Sequence, residues 1–108
     1  MTVKDLIDTG KFTVISAADV SRTVGKVFCC DLLSVAMSKA PAGCAWVTVM
    51  ANVNTLAVAS LADTAVVILA EGSRLDDASV EKARQQEINV LASDTPIFDT
   101  GLMIMENN

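Results

Sequence analysis

The stretch from Thr64 to Thr100 constrains this chain most, because it spells a complete βαβ unit. Ala65-Val66-Val67-Ile68-Leu69 is an unbroken apolar run, the mark of a strand buried on both faces. Glu71-Gly72 turns the chain. Asp77 to Gln86 reads as a helix, capped by the Asp76/Asp77 pair, with Ser79 and Glu81 suited to its positive end. Ile88 to Ala92 is the next strand. Ser93-Asp94-Thr95-Pro96 then opens a last helix, with Pro at a tolerated first-turn position. Two strands joined through a helix run parallel, and ligands of such sheets favour the loops beyond the strand ends.

The rest of the chain extends this alternation. Thr2 caps a short helix through Asp8, with Asp5 completing a partial capping box and Gly10 ending it. Phe12-Thr13-Val14-Ile15 is a short strand, Ala17 to Gly25 a polar loop, and Lys26 to Cys30 a second strand. Asp31 is placed to cap a helix from Leu32 to Lys39, which Ala40-Pro41-Ala42-Gly43 breaks. Cys44 to Ala51 is a third strand, and Asn54 is expected to cap an Ala-rich helix from Thr55 to Ala62. The expected fold is an α/β, three-layer domain. Its parallel or mostly parallel sheet has about five strands flanked by helices, and residues 1–108 form one domain.

Composition narrows the function. Apolar residues make up 52% of the chain and aromatics 4%, more apolar surface than so small a domain buries easily. A subunit interface is the expected destination for the excess. The net charge is −5 and the eight Lys and Arg residues form no block, which argues against a nucleic-acid partner. No apolar core follows Lys4, so no signal peptide is expected. Leu56 to Ala70 is interrupted by Ser60, Asp63 and Thr64 and falls short of the roughly 20 residues of a membrane span. No membrane partner and a cytoplasmic location are the expectations.

Chemistry is sparse. The chain has no His, so no Ser/His or Cys/His nucleophile pair can be built. Its glycines, Gly10, Gly25, Gly43, Gly72 and Gly101, are isolated and make no phosphate loop. Asp94 and Asp99 are the one candidate carboxylate pair for acid–base work, and no catalytic residue is assigned. Cys29, Cys30 and Cys44 read as small buried hydrophobes in a reducing compartment. A redox pair and a metal site are the alternatives, and a metal would need carboxylate ligands. No metal and no cofactor are expected.

The candidate ligand site lies on the carboxyl edge of the sheet. Asn54, Gly72, Arg74, Ser93 and Thr95 would meet there, Arg74 as anion partner and Ser93 and Thr95 as donors. The competing reading makes Asp31, Asn54, Asp77 and Thr95 simple helix caps and Arg74 a solvated charge. Leu102-Met103-Ile104-Met105 are four consecutive apolar residues on a helix, more than a one-faced surface helix carries. Burial in the core and a homodimer interface both account for them.

The chain resembles the DRTGG-domain family of small α/β modules. Ser21-Arg22-Thr23-Val24-Gly25 keeps the Arg, Thr and last Gly of the naming signature, with Ser21 and Val24 in place of its Asp and first Gly. Asp31 to Met37, Ala45 to Val49, Asn52 to Ala62 and Val66 to Gly72 are similar to the family's later strands and helices. The resemblance implies a non-catalytic regulatory or dimerisation module. Related domains occur alone or joined to CBS pairs, phosphotransacetylase-type enzymes and an inorganic pyrophosphatase. The N-terminal domain of HPr kinase is similar in fold, without the kinase's own P-loop chemistry. Expected partners are therefore a second copy, a partner enzyme or a small anionic ligand such as a nucleotide.

Overall fold

In the computed structural model, residues 1–107 are described. The elements are α1 (Val3–Asp8), β1 (Thr13–Ser16), β2 (Val27–Cys29), α2 (Leu33–Lys39), β3 (Ala45–Thr48), α3 (Val53–Ala62), β4 (Val66–Leu69), α4 (Asp77–Gln85), β5 (Val90–Ala92) and α5 (Ile97–Glu106). They build one five-stranded sheet in the order β1-β5-β4-β3-β2. β2, β3, β4 and β5 run parallel, and β1 is added antiparallel to β5. The α/β, mostly parallel architecture expected above is the one observed.

Alternation along the central strands sorts the core into two layers. Trp46, Val67, Leu69, Val90 and Ala92 face α2, α3 and α4 through Ala36, Leu56, Ala59 and Ala83. Ala45, Val47, Val66, Ile68 and Leu91 face α1 and α5 through Val3, Leu6 and Ile104. Every residue of β3 and β4 is buried, which explains why their sequences carry no polar alternation. Strand order explains the helix layers. The three crossovers β2→β3, β3→β4 and β4→β5 all step the same way across the sheet. With a common handedness they must share one face, which leaves the other to the two terminal helices.

β2 is an edge strand of three residues. Lys26 accepts a hydrogen bond from Ala45 N at 2.8 Å, and Cys30 N donates to Val47 O at 3.1 Å. By the two-residue period, Phe28 also faces inward and the backbone of Val27 and Cys29 faces out. Cys29 and Cys30 fall on opposite faces of the sheet: Cys29 lies beside Gly101 of α5 and is exposed, contrary to the expected burial, and Cys30 is half-buried against the α2–α4 layer. Cys44 is buried among the core residues, and burial pushes its thiol up to about 11.

Capping departs from expectation at α2, at α3 and at α5, whose N-cap is Pro96 with no side-chain bond rather than Thr95. Thr2 and Asp5 form a complete capping box on α1, as the spacing predicts. Asp31 does not cap α2, whose N-cap is Leu32 with no side-chain bond. The Asp31 carboxylate instead accepts from Thr48 Oγ1 at 2.8 Å and Val49 N at 2.9 Å, so it ties β2 to the end of β3. Asn52, not Asn54, caps α3, since α3 begins at Val53 and Asn52 Oδ1 accepts from Asn54 N and Thr55 N. Of the Asp76/Asp77 pair expected to cap α4, Asp76 is the member that does so, accepting from Ser79 N at 2.7 Å.

Candidate functional site

The loops after β4 and β5 diverge, because α4 packs on one face of the sheet and α5 on the other. Such divergence is what opens a ligand crevice in doubly wound folds. Here the two loops are stitched together. Glu71 N donates to Thr95 O at 2.9 Å and Gly72 N to Ser93 O at 3.0 Å. Glu71 and Gly72 hold φ of 60° and 74°, and Ser73 N closes the turn on Ala70 O at 3.0 Å. Positive φ at both central residues is the pattern of a type I′ turn, which favours Gly at the second.

Side chains complete the closure. Ser93 Oγ and Thr95 Oγ1 lie 2.7 Å apart, and Thr95 Oγ1 lies 2.7 Å from Thr100 Oγ1. Ser93 Oγ also accepts from Thr95 N at 3.1 Å. Thr100 is fully buried, so this hydroxyl triad anchors the start of α5 to the end of β5. Arg74 donates to Asp94 Oδ1 at 3.0 Å and to Ser73 O at 2.9 Å, with Asp94 largely exposed. Gly72, Ser93 and Thr95 lie together and are bonded to one another, whereas Arg74 on the neighbouring loop bonds only Ser73 and Asp94. Asn54 stands in the first turn of α3, exposed and without a side-chain bond to them.

The last helix separates its apolar residues onto two flanks. Ile104 is a core residue and Met103 is half-buried against the same layer. Leu102 and Met105 are exposed by 38% and 60%, and Phe98, exposed by 71%, joins them. Phe98, Leu102 and Met105 follow the i, i+4, i+7 spacing of one helix stripe, whereas Ile97, Gly101 and Ile104 follow that of the buried one. The expected four-residue interface therefore splits: Ile104 belongs to the core, and Phe98, not singled out from the sequence, belongs to the exposed stripe. Gly101 faces β2, where a Cβ would make ordinary contact with Cys29 Sγ at 3.4 Å and Val27 Cγ1 at 3.5 Å. Met105 also walls an open, mainly apolar cleft with Val24, Gly25, Lys26 and Val27.

The amino edge holds a polar cavity of about 250 Å³, between the loop after β1 and the ends of α3 and α4. Its walls are held by long-range contacts. Arg22 donates to Asp63 Oδ1 at 2.7 Å and to Asp63 O at 2.8 Å. This pairing draws the Asp63 carboxyl below its ordinary value and raises the Arg22 guanidinium. Asp63 O also accepts from Gly43 N at 2.8 Å, and Gly43 O from Gly25 N at 2.8 Å. A Cβ on Gly25 would lie 3.3 Å from Gly43 O, closer than a side chain is ordinarily tolerated. Arg22 and Gly25 therefore work as a strut from the 21–25 loop to the end of α3. Nearby, Asn89 is buried with both amide ends engaged. Its Oδ1 accepts from Ala18 N at 2.7 Å, and its Nδ2 donates to Asp19 O at 2.8 Å and Ala65 O at 3.1 Å.

No protein-family model matches the chain, and no curated protein matches it. Among solved structures, it is similar to the CBS and DRTGG domains of the regulatory region of Clostridium perfringens pyrophosphatase, crystallised with the activator diadenosine tetraphosphate. The likeness has a TM-score of 0.78 at 14% identity and covers 98% of this chain. It covers 46% of the other, so the chain spans about half the length of that regulatory region. At this identity the likeness is one of architecture, and it supports a DRTGG-like fold.

Proposed function

We propose that the chain is a single-domain, non-catalytic regulatory or protein-interaction module that works as a homodimer. The exposed stripe of Phe98, Leu102 and Met105 on α5 carries this reading. A ten-residue helix already seated on its own core gains nothing in water from a second apolar stripe, which suits it to a partner surface. A second copy offers the same stripe in antiparallel register, the isologous arrangement that closes on itself. The absence of His from the sequence favours a role without acid–base catalysis. The similarity to a regulatory region supports the regulatory half of the reading.

Sedimentation equilibrium at micromolar concentration tests it. Wild-type protein is expected to be dimeric, and Leu102→Glu or Met105→Glu to yield folded monomers with unchanged far-UV dichroism. A monomeric wild type overturns the reading. A second reading, a nucleotide or anion sensor at the carboxyl edge, draws on the diverging loops that hold Arg74, Ser93 and Thr95. It requires the Arg74–Asp94 pair to open for the ligand, so Asp94→Asn would strengthen nucleotide binding in a thermal-shift titration.

A further inference from the structure

Three features at the β2 edge share one centre. The exposed stripe on α5 runs from Phe98 to Met105, so its midpoint falls between Gly101 and Leu102. A Cβ on Gly101 would lie 3.4 Å from Cys29 Sγ and 3.5 Å from Val27 Cγ1, which sets that midpoint level with Phe28, the middle of β2. Lys26 precedes β2 and Asp31 follows it, both exposed, so the edge carries a cation at one end and an anion at the other. The Asp31 carboxylate is held in place by Thr48 Oγ1 and Val49 N. Met105 marks the Lys26 end, where it walls an open cleft of about 520 Å³ with Val24, Gly25, Lys26 and Val27. Phe98 therefore marks the Asp31 end, and among the described residues it is the only exposed aromatic side chain.

We propose that Phe98 anchors the homodimer by seating in this cleft of the second copy. The proposal rests on the dimer reading above and adds its register. A two-fold axis through the common centre runs the two α5 helices antiparallel. Phe98 then meets Met105 of the partner subunit, and Leu102 packs near the axis against its own copy. The same rotation sets Lys26 beside Asp31 of the partner subunit, once on each side of the axis. An aromatic knob, an apolar socket and a pair of opposite charges thus come into register under one operation. A foreign protein would have to supply all of these, whereas a second copy carries them already. Aromatic anchors in desolvated pockets dominate interface energies, and charges at the rim set orientation.

Dimer dissociation constants from sedimentation test the register. Phe98→Ala is expected to raise Kd about hundredfold, about tenfold for each of the two symmetric contacts. Met105→Ala should raise it less. Within one chain these two residues stand two turns apart, about 10 Å along the helix, and do not touch. Across the dimer they do, so the double variant should weaken association by less than the product of the single effects. Lys11 precedes β1, at the far edge of the sheet. Lys26→Glu should raise Kd about fivefold more than Lys11→Glu, an equal change of charge, and added salt should close that gap. A dimer that Phe98→Ala leaves intact, or independent Phe98 and Met105 effects, overturns the register and spares the dimer. So does Lys26→Glu acting no more strongly than Lys11→Glu. A monomeric wild type overturns both.

Discussion

At the carboxyl edge, Ser93, Thr95 and Thr100 satisfy one another within seven residues of sequence. At the amino edge, Asn89 reaches back 71 residues to Ala18, and Arg22 reaches forward 41 residues to Asp63. One edge is closed by its own loops and the other is braced between distant segments. A sheet needs both: local closure sets where each helix starts, and long-range bracing holds the strand entrances together. The contrast also bears on function. The edge where α/β proteins usually bind has its two loops bonded to one another, while the other keeps an open polar cavity.

The sharpest way to break this comparison is Asn89→Ala. It deprives Ala18 N, Asp19 O and Ala65 O of their shared partner at a site 6% exposed. A loss of about 3 kcal/mol in urea unfolding is expected, since each orphaned buried group costs about 1–3 kcal/mol and water reaches some of them. Thr100→Val at the other edge should cost less, about 1 kcal/mol, because Ser93 and Thr95 keep their own bond. Equal losses at the two edges would undo the distinction.

Acid gives the smallest effect and an independent check. The Arg22 guanidinium holds Asp63 below the ordinary carboxylate value of 3.8. A carboxyl depressed in the folded state adds stability above that value and loses it as pH falls through the folded pKa. The amino edge should therefore weaken below about pH 4, and Asp63→Asn should flatten the fall in stability with acid, read by melting temperature across pH 2–5. An unchanged slope would show that the strut carries no charge-dependent stability.

Much of the fold was legible because its signals are local. Val66–Leu69 is an apolar run with nowhere to go but a buried strand, and Thr2 with Asp5 makes a capping box from spacing alone. The cap of α3 was misassigned by two residues, where Asn52 and Asn54 could each serve and only backbone geometry decides. Asp31 was misread because its partner, Thr48, lies 17 residues away on another strand. That the loops carrying Gly72, Arg74, Ser93 and Thr95 share one edge was legible from strand ends, but not the bonds that join Gly72 to Ser93, Ser93 to Thr95 and Arg74 to Asp94. The stripe of Phe98, Leu102 and Met105 was present in the helical period, hidden by reading four consecutive residues as one patch. The amino-edge cavity had no sequence signal, since it assembles from residues 19–22, 59–65 and 86–89.

The brevity of β2 has a further consequence. An outer strand that turns only Val27 and Cys29 outward offers an incoming chain little backbone to grip. Sheets that grow end to end into fibres need longer, flatter margins. A protein with an apolar helix beside so short a margin can associate through side chains while its backbone discourages runaway growth.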